Sequence, residues 1–259
     1  MKQSKRVVLE RQQRIFELVY EKERVSVEDI CDRFGISDIT ARRDITALSD
    51  KELVLRYHGG AMTIPRKDFD YNYREKESRA IEKKQSIARK LSDMLPEGSV
   101  LFCSGGSTIT EFFRCVKHCR FTIVSSNARL FTEAEDSDCR LICVGGEYNN
   151  QTEVFCSRLT PSLIARYHIE YCILGADGFS AEYGGTSTTA KMLETSEITS
   201  NYHRAMKTVV IADGTKIGLN WCFPLFGIEN VDWLVTDETA DKKELEKIRQ
   251  KGVKVFVAQ

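Results

Sequence analysis

The sequence predicts two folded parts, an all-α N-terminal domain closed by a small hairpin and a larger α/β domain built on a largely parallel sheet. Three observations predict this. Over residues 1 to about 60 the apolar residues recur at helical spacing, without alternation of strands and helices. Residues 62–80 (MTIPRKDFDYNYREKESRA) are polar, dense in charge and carry Pro65, which suits a linker. From Ser99 onward, β-prone apolar runs alternate with helical patterns, as they do in parallel sheets flanked by helices. The chain is accordingly divided into 1–61, a linker at 62–80, and 81–259.

In the first part, Arg11 to Tyr20 places Ile15, Phe16 and Val19 on one helical face. Val27, Ile30, Cys31 and Phe34 make a second stripe, with Ser26 as N-cap, Asp29 at the capping-box position and Gly35 as a left-handed stop. Ser37 caps a third helix, in which Ala41, Ile45 and Leu48 face inward. Residues 53–57 are β-prone and run into His58-Gly59-Gly60, which reads as a hairpin. Helix, helix, tight turn, helix, hairpin is the plan of a winged helix-turn-helix.

In the second part, a helix is expected from about Ile81 to Leu95, closed by Pro96-Glu97-Gly98. Strands are expected at 100–103, 121–124, 140–144, 171–175, 208–212, 232–236 and 253–257. Helices are expected at 108–116, 127–135, 160–167, 187–205 and 240–250.

Composition narrows the possibilities. The 259 residues hold 38 Lys+Arg against 38 Asp+Glu, 42% hydrophobic and 29% charged residues, which excludes a disordered or collagen-like chain. Zero net charge argues against a nucleic-acid binder held by bulk charge. Residues 1–60 alone carry 12 Lys/Arg against 11 Asp/Glu, so any contact with DNA must rest on where charges stand. Apolar stretches fall far short of the roughly 18 residues of a membrane helix, and MKQSKRVVLERQQR lacks a secretory h-region. With these, nine cysteines read as reduced thiols of a cytoplasmic protein without membrane contact.

With Ala41, Ile45 and Leu48 inward, Arg43 and Thr46 point out of the third helix, flanked by Thr40 and Arg42. One arginine can grip a guanine edge in the major groove and the other a phosphate, while Ser37 and the helix N-terminus can hold a second phosphate. Arg56 suits a wing contact, and His58 stands at the wing exit. A lone Arg-Arg pair is most often a solvated helix face, and it is the ordered series of motifs that points to DNA.

These residues carry a resemblance. The strings Arg11-Gln12-Gln13-Arg14-Ile15, Val25-Ser26-Val27, Phe34-Gly35-Ile36-Ser37-Asp38-Ile39-Thr40-Ala41-Arg42-Arg43-Asp44-Ile45 and Leu55-Arg56-Tyr57-His58-Gly59-Gly60-Ala61 resemble the DeoR family of bacterial transcriptional regulators. Thr40, Arg42, Arg43 and Asp44 stand where that family's T-I-R-R-D-L signature places them, with Ala41 and Ile45 as apolar swaps. The resemblance extends over nearly the whole chain.

The first βα turn of the larger domain reads Leu101-Phe102-Cys103-Ser104-Gly105-Gly106-Ser107-Thr108. Backbone N–H groups, hydroxyls and a helix N-terminus converge there, which suits a phosphate monoester. The turn lacks the lysine and spacing of a nucleotide P-loop, and no G-x-G-x-x-G is present. Polar turns follow other strands at Ser126-Asn127, Gly145-Gly146, Gly175 to Gly178, Gly184-Gly185-Thr186 and Asp213 to Lys216, and in an open parallel sheet such turns gather on one edge. Asp177 is a candidate for sugar hydroxyls and Lys216 for a phosphate or anomeric oxygen. Ser104, Gly105, Gly106, Ser107, Thr108, Ser126, Asn127, Gly146, Asp177, Gly185, Thr186 and Lys216 are therefore the candidate effector residues. The resemblance adds that such sensor domains are similar to ribose-5-phosphate isomerase and bind phosphorylated sugars. It matches the family's G-S-T turn to Gly106-Ser107-Thr108, its Thr-Asn to Ser126-Asn127 and its Asp-x-Ser-Lys to Asp213-Gly214-Thr215-Lys216.

Cys115, His118 and Cys119 lack the second ligand pair of a zinc site, so neither metal nor cofactor is expected. The resemblance implies a regulator, most often a repressor, that binds double-stranded operator DNA as a dimer or tetramer, serves a carbohydrate-metabolism operon and answers to a phosphorylated sugar. Two alternatives stay open. One is a phosphosugar isomerase with an appended DNA-binding domain, for which Asp177 and Lys216 are the pair to nominate. The other is a constitutive architectural DNA binder.

Overall fold

Seven apolar runs in the second part carry residues buried on alternating sides. Phe102 and Cys172 lie in one apolar core, while Leu101, Cys103 and Ile173 lie in another. A strand points successive side chains to opposite faces, so such runs belong in a sheet covered on both sides. The computed structural model describes residues 5–22, 24–50, 53–57, 59–62, 73–157, 160–188, 207–221 and 223–259. It divides into two compact units, residues 1–70 and 71–259.

The first unit contains α1 (Lys5–Lys22), β1 (Arg24–Ser26), α2 (Val27–Phe34), α3 (Asp38–Asp50), β2 (Leu55–Tyr57) and β3 (Gly60–Met62). Ile15, Phe16, Leu18, Val19, Ile30, Ala41, Ile45 and Leu48 form its interior. The Ser26 capping box is complete, and Gly35 ends α2 in the left-handed region at φ 61°. The antiparallel sheet β1-β3-β2 has one strand more than the expected hairpin. Its third strand, β1, is too short to show a period. Val27 N donates to Gly59 O at 2.8 Å, and Tyr57 Oη donates to Val25 O at 3.2 Å. Gly60 lies so close to β1 that a Cβ there would overlap the Val25 carbonyl oxygen.

The second unit opens with α4 (Tyr73–Ser78) and α5 (Ile81–Ser92), then β4 (Val100–Cys103), α6 (Ser107–Val116), β5 (Thr122–Ser125), α7 (Ala128–Thr132) and β6 (Arg140–Cys143). A hairpin of β7 (Glu147–Asn149) and β8 (Val154–Cys156) precedes α8 (Thr160–Ile164), β9 (Tyr171–Leu174), β10 (Gly178–Ser180) and β11 (Gly184–Ser187). Then come β12 (Lys207–Ile211), β13 (Phe223–Phe226), β14 (Trp233–Asp237), α9 (Lys242–Gln250) and β15 (Lys254–Ala258). The main sheet has seven strands in the order β15-β14-β12-β9-β4-β5-β6, all paired in parallel. They are the seven expected strands, within a residue or two at each end.

On one face of this sheet, Ile87 and Leu91 of α5 and Ile109, Phe112, Phe113 and Val116 of α6 are fully buried. Each phenylalanine contributes about 1.5–3 kcal/mol by leaving water. Three expectations are corrected. The segment 73–78, read as linker, is a helix of the second unit. The helices at 127–135 and 160–167 are shorter, at Ala128–Thr132 and Thr160–Ile164. The Gly-rich turn at 184–186 belongs, with Ser187, to a strand of a separate sheet, β10-β11-β13, and 189–205 of the helix expected at 187–205 lie outside the described residues.

Candidate nucleic-acid interface and small-molecule cleft

The aim of α3 is set by its buried face. Ala41, Ile45 and Leu48 are joined there by Asp44, which is 1% exposed. Its carboxylate accepts from Arg11 Nε at 2.6 Å and Gln12 Nε2 at 3.0 Å, both on α1. The acid of the T-x-R-R-D string therefore ties α3 to α1 rather than meeting a partner.

The opposite face carries the DNA candidates. Arg42 is exposed but held by Asp38 one turn earlier, Nε–Oδ1 2.6 Å and Nη2–Oδ2 3.1 Å, so a phosphate contact would be shared with a carboxylate. Arg43 is exposed and has no hydrogen bond or ion pair among the described residues. The Thr46 hydroxyl donates to the Arg42 carbonyl at 2.8 Å, so it is already engaged within the helix. Ser37 Oγ lies 2.9 Å from Thr40 Oγ1 at the start of the helix. Arg56 is exposed on β2, and His58 lies outside the described residues.

In the sheet, β4 leads outward to β5 and β6 on one side, and β9 leads to β12, β14 and β15 on the other. The boundary between β4 and β9 is the topological switch point, where open parallel sheets bind ligands. A cleft of about 610 Å³, its open mouth included, lies there. After β4 come Gly105, Gly106, Ser107, Thr108 and Ile109; after β9 come Gly175, Ala176 and Asp177. Lys216 arrives from the 3-10 turn after β12, and Tyr73 and Lys76 arrive from α4. Thr152, Val154, Ser187 and Leu225 complete the lining. Gly106 occupies the N-cap position of the ten-residue α6, and no side chain among the described residues caps its free N–H groups.

Asp177 accepts from Lys76 Nζ at 2.7 Å, Ser187 Oγ at 3.0 Å, and Thr188 N and Oγ1 at 3.1 and 3.0 Å. Burial alone would raise its pKa, but Lys76 and Lys216 outweigh burial and hold it well below the usual carboxylate range. Its carboxylate is thus already committed within the protein. Lys84 on α5 is 2% exposed and donates to the Lys76 carbonyl. Burial, with Lys216 nearby, pushes its pKa down to about 8.

The helix α4 is fixed to this unit along its whole length. Tyr73 Oη donates to Thr110 Oγ1 at 2.6 Å, and Arg114 Nη2 donates to Glu77 Oε1 at 2.6 Å. Arg114 also binds Glu133 at 2.6 Å, and the Arg129 guanidinium carbon stands 5.7 Å from the Tyr73 ring centroid.

Of the expected effector residues, Gly105, Gly106, Ser107, Thr108, Asp177 and Lys216 line the cleft. The other six do not. The Ser104 hydroxyl accepts from Gly175 N at 3.0 Å and joins the two strand ends. Asn127 donates to Gly106 O at 3.3 Å and Thr110 Oγ1 at 3.1 Å, bracing the loop from behind. The Ser126 carbonyl accepts from Phe155 N at 2.8 Å. Gly146 packs on the Cys156 backbone and Gly185 under the Phe226 ring. Thr186 Oγ1 bonds Gly178 O at 3.2 Å and Trp221 N at 2.9 Å. Sequence reasoning missed Tyr73, Lys76, Ile109, Thr152, Val154, Gly175, Ala176, Ser187 and Leu225 as cleft residues. Only the polar turn at 175–178 signalled any of them.

Residues 11–67 match the DeoR-like helix-turn-helix domain, and residues 79–238 match the DeoR C terminal sensor domain. The chain belongs to the DeoR family. This DeoR-family chain is thus a DNA-binding transcriptional regulator with a sensor domain. It is 31% identical over 247 residues to the HTH-type transcriptional regulator GlpR of Haloferax volcanii, covering 95% of this chain and 96% of that one. It is 28% identical to the glycerol-3-phosphate regulon repressor of Escherichia coli over 86% of this chain and 88% of that one. The lactose phosphotransferase system repressor of Streptococcus mutans is 25% identical over 90% and 94%. No helix among the described residues is long and apolar enough to cross a membrane.

Proposed function

We propose that this DeoR-family regulator represses a carbohydrate-metabolism operon and is controlled by a phosphorylated sugar or sugar alcohol bound in the cleft at the switch point. The observation that carries the reading is the cleft itself. The uncapped start of α6, with Ser107 and Thr108, shares it with the cations Lys76 and Lys216. Backbone N–H groups, hydroxyls and lysines suit a phosphate dianion. The names of the two repressor relatives, one of a glycerol-3-phosphate regulon and one of a lactose phosphotransferase system, favour the same ligand class.

In this reading the unit 1–70 is the reader and 71–259 the sensor, working in the cytoplasm as a homo-oligomer on paired half-sites. Arg43 reads a base edge, while Ser37, Thr40, Arg42, Arg56 and His58 position the backbone. Asp177 fixes Lys76 and is a poor general base, because its pKa is held low. This supports a ligand sensor over an isomerase. An arriving phosphate competes with Asp177 for Lys76, and Lys76 stands on α4, the first described element after the reader. A coupling free energy of about 1–3 kcal/mol between cleft and operator is enough to switch a regulator.

The test is a gel shift on the DNA upstream of the protein's own coding sequence, with glycerol 3-phosphate, ribose 5-phosphate, hexose 6-phosphates and their unphosphorylated counterparts. A phosphorylated compound should change retention and raise the melting temperature of the sensor. If none of them does either, the effector reading fails.

A further inference from the structure

We propose that Ile39 reads DNA sequence, by packing against the C5-methyl of a thymine in the major groove next to the base gripped by Arg43. This rests on α3 being the reading helix. Ile39 is 80% exposed, the most exposed large apolar side chain among the described residues. At that exposure it adds little packing to the reader among the described residues, and a β-branched residue is a modest helix former.

Its position supplies a reason for it. Ile39 lies one turn before Arg43 and two turns before Thr46, so the three share one stripe of α3 (i, i+4, i+7). The stripe faces away from Ala41, Asp44, Ile45 and Leu48, which are all buried. Beside it, Asp38 and Arg42 neutralise one another. The outward stripe of α3 therefore offers DNA an apolar branch and then a guanidinium that has no hydrogen bond or ion pair among the described residues. An isoleucine gains nothing from a phosphate. A thymine methyl is the apolar group that the major groove presents, and residues near the start of a recognition helix are those that reach base edges.

The experiment begins with selection of binding sites from a random duplex pool by the full-length protein. Each thymine of the selected site is then replaced singly by uracil, which removes only the methyl. Wild type should lose roughly fourfold in affinity at one thymine per half-site, the worth of one buried methyl-sized group. Ile39→Ala should bind the thymine and uracil duplexes equally, with an unchanged melting temperature because the side chain is exposed.

A wild type indifferent to uracil at every position overturns the proposal. So does an Ile39→Ala variant as uracil-sensitive as wild type. Arg43→Ala separates the two levels. If it loses base selectivity while the uracil scan stays flat, α3 still reads DNA and only the role of Ile39 fails. If no sequence is enriched at all, both fail.

Discussion

Replacing Asp44 by alanine should strongly destabilise the reader while leaving the sensor intact. The carboxylate is buried and accepts from Arg11 at 2.6 Å and Gln12 at 3.0 Å, so its loss removes an anionic partner from a guanidinium that is only 12% exposed. Breaking a buried pair from one side costs about 3–5 kcal/mol, and the partial exposure of Arg11 points to the lower end, about 3 kcal/mol. A unit of this size has a total stability of roughly 3.5–10.5 kcal/mol at about 0.05–0.15 kcal/mol per residue. The loss is therefore a large fraction of the whole. Asp44→Asn keeps one acceptor oxygen and should cost less, about 1–3 kcal/mol. The assay is urea unfolding followed by two signals. Both tryptophans, Trp221 and Trp233, lie in the 71–259 unit, so their fluorescence reports the sensor alone, whereas far-UV circular dichroism sees both units. Asp44→Ala should show an early dichroism phase with an unmoved fluorescence transition. If its dichroism curve overlays that of wild type, Asp44 is no clamp.

Arg43→Ala should weaken operator binding by about 1–3 kcal/mol and relax selectivity at one base pair, as read by competition with single-base operator variants. Unchanged preference would remove Arg43 from base reading. Lys76→Met and Lys216→Ala should each retain operator binding but need far more phosphorylated effector to change it, in the same gel shift. A normal response in both would take the lysines out of the site. Lys84 carries a pH signature: its pKa falls from 10.5 to about 8 on folding, through burial. Between those values the unfolded chain binds the extra proton, so wild type should gain stability relative to Lys84→Met as pH rises from about 8 toward 10.5, with a flat difference below 8. A flat difference across the whole range, in urea titrations, would show that the amine is not desolvated.

The main sheet was legible because its strands hold continuous apolar runs such as Val100-Leu101-Phe102-Cys103 and Val209-Val210-Ile211, buried on both faces. The small sheet was not. Gly178-Phe179-Ser180 and Gly184-Gly185-Thr186-Ser187 are short and glycine-rich, and their pairing with Phe223–Phe226 reaches across some 40 residues, so nothing local marks them as strands. The phosphate-loop part of the cleft was readable as a strand entering a Gly/Ser/Thr turn. Lys76 was hidden because Tyr-Arg-Glu-Lys-Glu-Ser has the composition of a linker, and only its long-range partners Thr110, Arg114 and Asp177 make it part of the sensor. The Asp44 clamp was hidden for the same reason, its partners lying 32 and 33 residues earlier on another helix.

Gly60 has a bearing on the thermodynamics of operator binding. The close seat of β3 on β1, with the Val27–Gly59 hydrogen bond, locks the wing to the start of α2 before any DNA is present. The ordering entropy of the wing is thus spent at folding and is absent from the association step. With little bulk charge to hold it on arbitrary DNA, such a preorganised reader should discriminate chiefly through how long it stays on a site rather than how fast it arrives. Any side chain at position 60 would loosen that seat, and should shorten residence on the operator even though no atom of residue 60 need touch it.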